Sequence, residues 1–128
     1  MYNAHDFVWR HARNAYELIV YQLGNAACHD YMWPYLTRYP GLIVLHDGNV
    51  HHSRARALLS HRRFDAYRTE FTFSHPDIPD AVTGLGIRGL LGSLTYFWPM
   101  LRVPVLTARG VAVHNQWLAR QLQDTFPE

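Results

Sequence analysis

The sequence predicts an α/β fold in which a short parallel β-sheet is flanked by helices, and three observations carry that expectation. First, the chain has 128 residues, of which 48% are apolar and 17% charged, as expected for one folded domain with a core. Second, residues 17–23 (ELIVYQL), 41–45 (GLIVL) and 110–113 (GVAV) are apolar runs too short for independent helices and rich in strand-forming side chains. They lack apolar–polar alternation, the pattern of strands buried on both faces. Third, helical segments lie between the runs, which makes the strands parallel neighbours joined by crossovers.

The elements follow in order. Residues 4–15 read as a helix with Phe7, Val8 and His11 on one side. Residues 31–39 read as the helix joining the first two strands, because Pro34 suits only a first turn and Pro40-Gly41 ends it. Residues 50–73 read as a long helix broken near Arg62-Arg63. Two prolines make residues 75–80 a loop. Residues 87–97 read as a buried helix, with Leu90, Leu91, Leu94 and Phe97 at helical spacing. A short turn over 104–109 precedes the last strand, and an amphipathic helix over 116–126 closes the chain. No repeat, low-complexity tract or charged linker divides the sequence, so residues 1–128 read as one unit.

Composition narrows the function. All 12 basic residues are arginine, and the net charge is only +2 with histidine neutral, which argues against a strongly electrostatic nucleic-acid binder. The 9 histidines add positive charge below roughly pH 6.5. A single cysteine, Cys28, excludes a disulfide scaffold and suits a reducing compartment such as the cytoplasm. The first residues carry no uninterrupted apolar stretch and do not read as a signal peptide. Residues 89–106 come nearest to a membrane span, but Pro99, Arg102 and Pro104 interrupt them and they fall short of about 20 apolar residues. Peripheral contact with a membrane surface stays open.

The chemistry concentrates at the strand ends. The first strand runs into Gly24-Asn25, the second into His46-Asp47-Gly48-Asn49 and the third into His114-Asn115. In open α/β sheets ligands bind outside the carboxyl ends of the strands, and helix N-termini there suit anions. Asn25, His29, His46, Asp47 and His114 are therefore expected to converge on one edge. Asn25, Asn49 and Asn115 have an ordinary alternative as helix caps or turn residues.

Other signals are weaker. His46, Asp47, His51 and His52 include metal-ligand types, yet adjacent residues on a helix point about 100° apart, and no metal site is expected. Cys28 beside His29 is only a sequence neighbour and makes a poor nucleophile pair. Gly84, Gly86 and Gly89 spell G-x-G-x-x-G without the preceding strand or the following acidic residue of a dinucleotide site, so they read as an entry to the helix after them. Arg54, Arg56, Arg62, Arg63 and Arg68 read as a solvated helix surface rather than a phosphate-binding face. Trp9, Trp33, Trp98 and Trp117 read as packing residues, with the segment 96–98 as the place where an aromatic could be exposed.

Longer strings carry a resemblance. VYQLGN at 20–25, HDYM at 29–32, YPGLIVLHD at 39–47 and His51-His52, followed by VAVHN at 111–115, WLAR at 117–120 and Phe126-Pro127, resemble bacterial retaining glycosyltransferases of the two-domain GT-B type, often called family 4. The similarity covers residues 16–59 and 96–127. It implies a partial Rossmann-like N-terminal, acceptor-side domain that would face a donor-binding domain across a cleft. His46 matches a family histidine that reaches the reacting sugar, where its imidazole would hydrogen-bond a hydroxyl. Gly24, Asn25, His29 and Asp47 would border the acceptor pocket, and His114 and Asn115 would line the cleft. The implied reaction passes a sugar from a nucleotide-diphosphate sugar to a hydroxyl of a glycan or lipid-linked acceptor, without a cofactor or bound metal, at the inner face of the membrane.

The family's donor domain carries two glutamates separated by seven residues, whereas this sequence holds only Glu17, Glu70 and Glu128. The expectation is therefore an incomplete enzyme, inactive alone. The alternative is a non-catalytic acceptor- or membrane-binding subunit that pairs with a separate donor-domain chain.

Overall fold

Each of the three apolar runs forms a strand, and the strands pair in parallel in the order β1 (Val20–Leu23), β2 (Leu42–Leu45), β3 (Gly110–Val113). Leu23, Leu45 and Val113 share a register position, so the carboxyl ends of all three strands finish level. The order runs sequentially, with no reversal among the described residues. The computed structural model describes residues 4–127.

Parallel neighbours require crossovers. A 3-10 turn (Ala4–Asp6) and α1 (Phe7–Arg13) precede β1. A 3-10 segment (Ala27–Met32) and α2 (Trp33–Arg38) carry the chain from β1 to β2. The second crossover is longer: α3 (His51–Leu59), α4 (Phe64–Ser74), α5 (Asp80–Ile87), a 3-10 segment (Gly92–Phe97) and α6 (Arg102–Thr107). Helix α7 (Gln116–Thr125) follows β3.

The first strand is shorter than expected, and the sheet reaches full burial on one face only, the other being exposed at β1 and half-buried along β2 and β3. Tyr21, Leu23, Ile43 and Leu45 lie in the core with Val111 and Val113 against them, while Val20 and Gln22 are exposed. The cause is that α2, α6 and α7 all deliver apolar side chains to the same core, through Trp33 and Leu36, Val103 and Val105, and Leu122. Residues 17–19 stay outside the ladder, although the Ile19 carbonyl accepts the Leu42 N–H at 2.9 Å. A Cβ at Gly41 would lie 2.2 Å from that carbonyl oxygen, so the close approach of the two chains there requires glycine.

A second core sits within the long crossover. Leu58, Tyr67, Phe71, Leu91 and Met100 pack together, with Ala55, Val82 and Trp98 around them. The break anticipated near Arg62-Arg63 falls between α3 and α4, where Arg62 adopts a φ of 56° and the Arg63 N–H closes back on the Leu58 carbonyl. The expected buried helix over 87–97 does not form. Gly89, with a φ of 71°, ends α5: the Leu90 N–H reaches the Leu85 carbonyl and the Gly89 N–H the Gly86 carbonyl, the paired bonds of a Schellman cap. Leu90, Leu94 and Phe97 consequently face solvent. No helix among the described residues is long and apolar enough to cross a membrane.

Candidate functional site

Level strand ends bring the histidines together. Gly24, His46 and His114 each follow the last residue of a strand, and the His46 N–H continues the ladder to the Leu23 carbonyl at 2.7 Å. Neighbouring strands lie about 4.8 Å apart, and the rings of His46 and His114 sit 4.8 Å apart. His114 Nε2 lies 3.1 Å from His46 Nδ1. Two residues before Gly24, Gln22 occupies the same face of the sheet, and its Oε1 lies 2.6 Å from His46 Nε2.

These contacts order the protons. With Gln22 Oε1 accepting, neutral His46 carries its proton on Nε2, and its Nδ1 accepts from His114 Nε2–H. His29 completes the group, its ring stacked on His46 at 5.7 Å and 20°. His29 Nδ1–H donates to the Gln22 carbonyl at 2.6 Å, which leaves Nε2 with its lone pair. His46 and His114 are exposed, so the group is open to a ligand.

Asp47 reaches across to the β1 loop beside His29. Its Oδ2 accepts the Asn25 N–H at 2.6 Å, and a Cβ on Gly24 would lie 2.8 Å from Oδ2 and 3.0 Å from His29 Cδ2. Gly24 thus lets the carboxylate and the imidazole close over it. Asn25 Oδ1 accepts the Ser53 N–H at 2.9 Å, tying the β1 loop to α3. Asp30 and Arg56 reinforce that tie, with Arg56 Nε at 2.8 Å from Asp30 Oδ2 and the Ser53 hydroxyl at 2.6 Å from Oδ1. Burial works to raise the Asp30 carboxyl, but the bonds from Arg56 and Ser53 outweigh it and hold the group below its ordinary range.

The asparagines divide differently from the histidines. Asn115 caps α7 by accepting the Leu118 N–H at 2.8 Å. Asn49 Oδ1 accepts the His51 N–H, and its Nδ2 donates to the Thr95 carbonyl. Gly24, His29, His46, Asp47 and His114 therefore gather at the edge, while Asn25 and Asn115 use their side chains to build it.

His51 and His52 part company. His51 is buried, its Nδ1–H on the Trp98 carbonyl at 2.7 Å and its Nε2 accepting from the Tyr67 hydroxyl at 2.6 Å, whereas His52 is exposed beside Thr95. Among the described residues no group of three or more His, Cys, Asp or Glu is arranged to hold a metal ion. Cys28 is exposed, and the ring of the neighbouring His29 is engaged with β1.

Two sequence readings need correction. The arginines are not a uniform solvated surface: Arg54 is buried on Glu70, Arg56 pairs with Asp30 and Arg68 with Asp80. The tryptophans are not all packing residues. Trp33 is buried, but Trp9 and Trp117 are 59% and 68% exposed, as is Tyr96 at 82%.

A cavity of about 710 Å³ opens beside Asp47. Asn25, Asp47 and Asn49 form one wall, α7 supplies Trp117 and Asp124, and the 3-10 segment supplies Tyr96. Sequence reasoning missed Gln22, although its two-residue spacing from Gly24 was a usable signal. It also missed the cavity, which depends on how α7 settles against the crossover. No family model matches the chain, nor does any curated protein or solved structure.

Proposed function

We propose that this chain is the acceptor-side part of a GT-B glycosyltransferase, which places a glycan or lipid-linked acceptor hydroxyl for transfer of a sugar from a nucleotide-diphosphate donor. The single observation that carries the reading is the gathering of His29, His46 and His114 at the level carboxyl ends of three parallel strands, the edge at which open α/β sheets bind ligands. In the reaction the acceptor oxygen bonds to the anomeric carbon, the bond from that carbon to the diphosphate oxygen breaks, and the hydroxyl proton passes to the departing nucleoside diphosphate.

His46 is the group proposed to hold the acceptor. Gln22 fixes its Nε2–H, so an acceptor hydroxyl would donate to Nδ1 in place of His114, with the unengaged Nε2 of His29 stacked beside it. Gln22 acts as the positioning residue for it, His114 lines the pocket beside it, and Asp47 and Gly24 border the pocket. The donor side belongs to a second domain or chain in this reading, because the sequence holds no pair of glutamates seven residues apart. The runner-up, a non-catalytic subunit at a membrane surface, draws on the exposed Leu90, Leu94, Tyr96 and Phe97.

The test is saccharide binding by the purified chain, followed by NMR with a panel of glycans and short lipid-linked sugars. His46→Ala is expected to weaken binding about tenfold, the loss of about 1.4 kcal/mol, with an unchanged circular dichroism spectrum. Equal affinity would remove His46 from the site. Failure of every saccharide to bind would overturn the acceptor reading.

A further inference from the structure

We infer that the cavity beside Asp47 is a binding site for neutral oligosaccharide, with Trp117 and Tyr96 as stacking platforms for sugar rings. The inference takes its ligand class from the acceptor reading but rests on a separate part of the molecule.

Size comes first. At about 710 Å³ the cavity lies within the range of about 300–1,000 Å³ common to small-molecule sites. Asp47 follows His46 directly in sequence and lines the cavity, which makes the two regions neighbours across one residue.

Two large aromatic side chains lie on the lining yet face solvent, Trp117 at 68% and Tyr96 at 82% exposure. Both are held at fixed points of the fold. Trp117 is in the first turn of α7, just after the Asn115 cap. Tyr96 lies in a segment that Asn49 Nδ2 pins through the Thr95 carbonyl at 2.9 Å. Exposed aromatic faces on rigid elements suit the apolar C–H faces of pyranose rings, which bury area there at little entropic cost.

Polar groups complete the fit. Asp47 uses Oδ2 on the Asn25 N–H, which leaves Oδ1 to accept. The lining side chains of Asp124 and Gln121 make no hydrogen bonds among the described residues. Ser74 Oγ, also on the lining, is buried without a partner among them. Carboxylates and amides of this kind accept and bridge vicinal hydroxyls.

Charge selects against the main competitor. Asp47 and Asp124 contribute two carboxylates to the lining, and Arg102 is the one arginine. Its guanidinium donates to the Phe73 carbonyl at 3.0 Å and lies over the Phe73 ring, which holds it to α4. Two carboxylates against one guanidinium leave the lining net negative, which opposes a phosphate or nucleotide and not a neutral sugar.

Maltotriose, mannotriose and galactotriose, each with a phosphorylated counterpart, serve as probes against the full chain, read by tryptophan fluorescence and calorimetry. At least one neutral trisaccharide is expected to bind at millimolar concentration and to shift the emission. Trp117→Ala should weaken it about tenfold or more, and Tyr96→Ala several-fold. Trp117 is exposed, so its removal should leave the circular dichroism spectrum and unfolding midpoint unchanged. Neutral binding that is lost in His46→Ala but untouched in Trp117→Ala and Tyr96→Ala would overturn the cavity site and leave the acceptor reading standing. Tighter binding of the phosphorylated sugars would overturn the neutral class, and absence of binding by every probe would overturn the site itself.

Discussion

Replacing Arg54 with alanine is expected to remove about 3–5 kcal/mol of folding stability, the loss typical when one partner of a buried ion pair is taken away. Arg54 is only 8% exposed. Its Nε and Nη2 hold the two oxygens of Glu70 at 2.6 and 2.9 Å, a bidentate bond that clamps α3 to α4. The guanidinium also lies 3.9 Å from the centre of the Trp33 ring, joining α2 to the same point. Alanine would strand the Glu70 carboxylate in a poorly solvated place and uncover the tryptophan. Arg54→Lys should fall between the two, because an ammonium keeps the charge but neither the fork nor the stacking. The pair Arg54→Met with Glu70→Leu should recover most of the loss, since two apolar side chains leave no unpaired charge. Urea unfolding of the four proteins decides the matter. A loss below about 1 kcal/mol for Arg54→Ala would mean that the pair behaves as a surface salt bridge.

That pair also marks where sequence reading stops. The α/β class, the three strands and the break between α3 and α4 are legible because they are local: short β-branched runs, prolines, and a pattern that fails near Arg62. The clustering of His46 and His114 is legible for a related reason, since parallel strands of equal length end level and carry their next residues side by side. Arg54 was not legible, because its burial depends on Glu70 and Trp33, 16 residues ahead and 21 behind. The helix expected over 87–97 failed on a competition that periodicity does not weigh. Four leucine and phenylalanine positions fitted one helical face, but Gly89 and Gly92 both take positive φ and end the helix before that face forms. The one-sided burial of the sheet is likewise a tertiary outcome, set by which face α2, α6 and α7 choose.

Acidification is expected to destabilise the fold between about pH 6.5 and 4, beginning well above the range in which carboxylates protonate. Burial is the main reason that His75 is pushed down to about 4, with the charge of His51 adding to it. In the unfolded chain the same imidazole titrates near 6.5. Below pH 6.5 the unfolded state therefore takes up a proton that the native state refuses, so stability is full above that pH and falls until about pH 4, where the native ring titrates too. At about 1.4 kcal/mol per pH unit the interval amounts to about 3 kcal/mol from His75. His51 works in the same direction, its pKa lowered first by burial and then by His52, against the Trp98 carbonyl bond that favours its charged form. Asp30 acts outside this window, because its carboxyl is held below the ordinary range and its contribution is lost only at lower pH.

The structure gives the proton a specific cost. His75 Nε2 accepts the Met100 N–H at 3.1 Å, and Met100 is a buried residue held at a φ of 55°, a conformation that side-chain-bearing residues rarely adopt. Protonating Nε2 turns that acceptor into a donor and releases the bond that fixes the turn. His75→Gln keeps an acceptor for the amide and removes the titration. Urea midpoints measured from pH 8 to 4 should therefore fall steeply for the parent and clearly less for His75→Gln, even if the variant begins lower at pH 8. Curves that run parallel across the whole interval would show that His75 takes up its proton alike in both states, and that the acid response belongs to His51 or elsewhere.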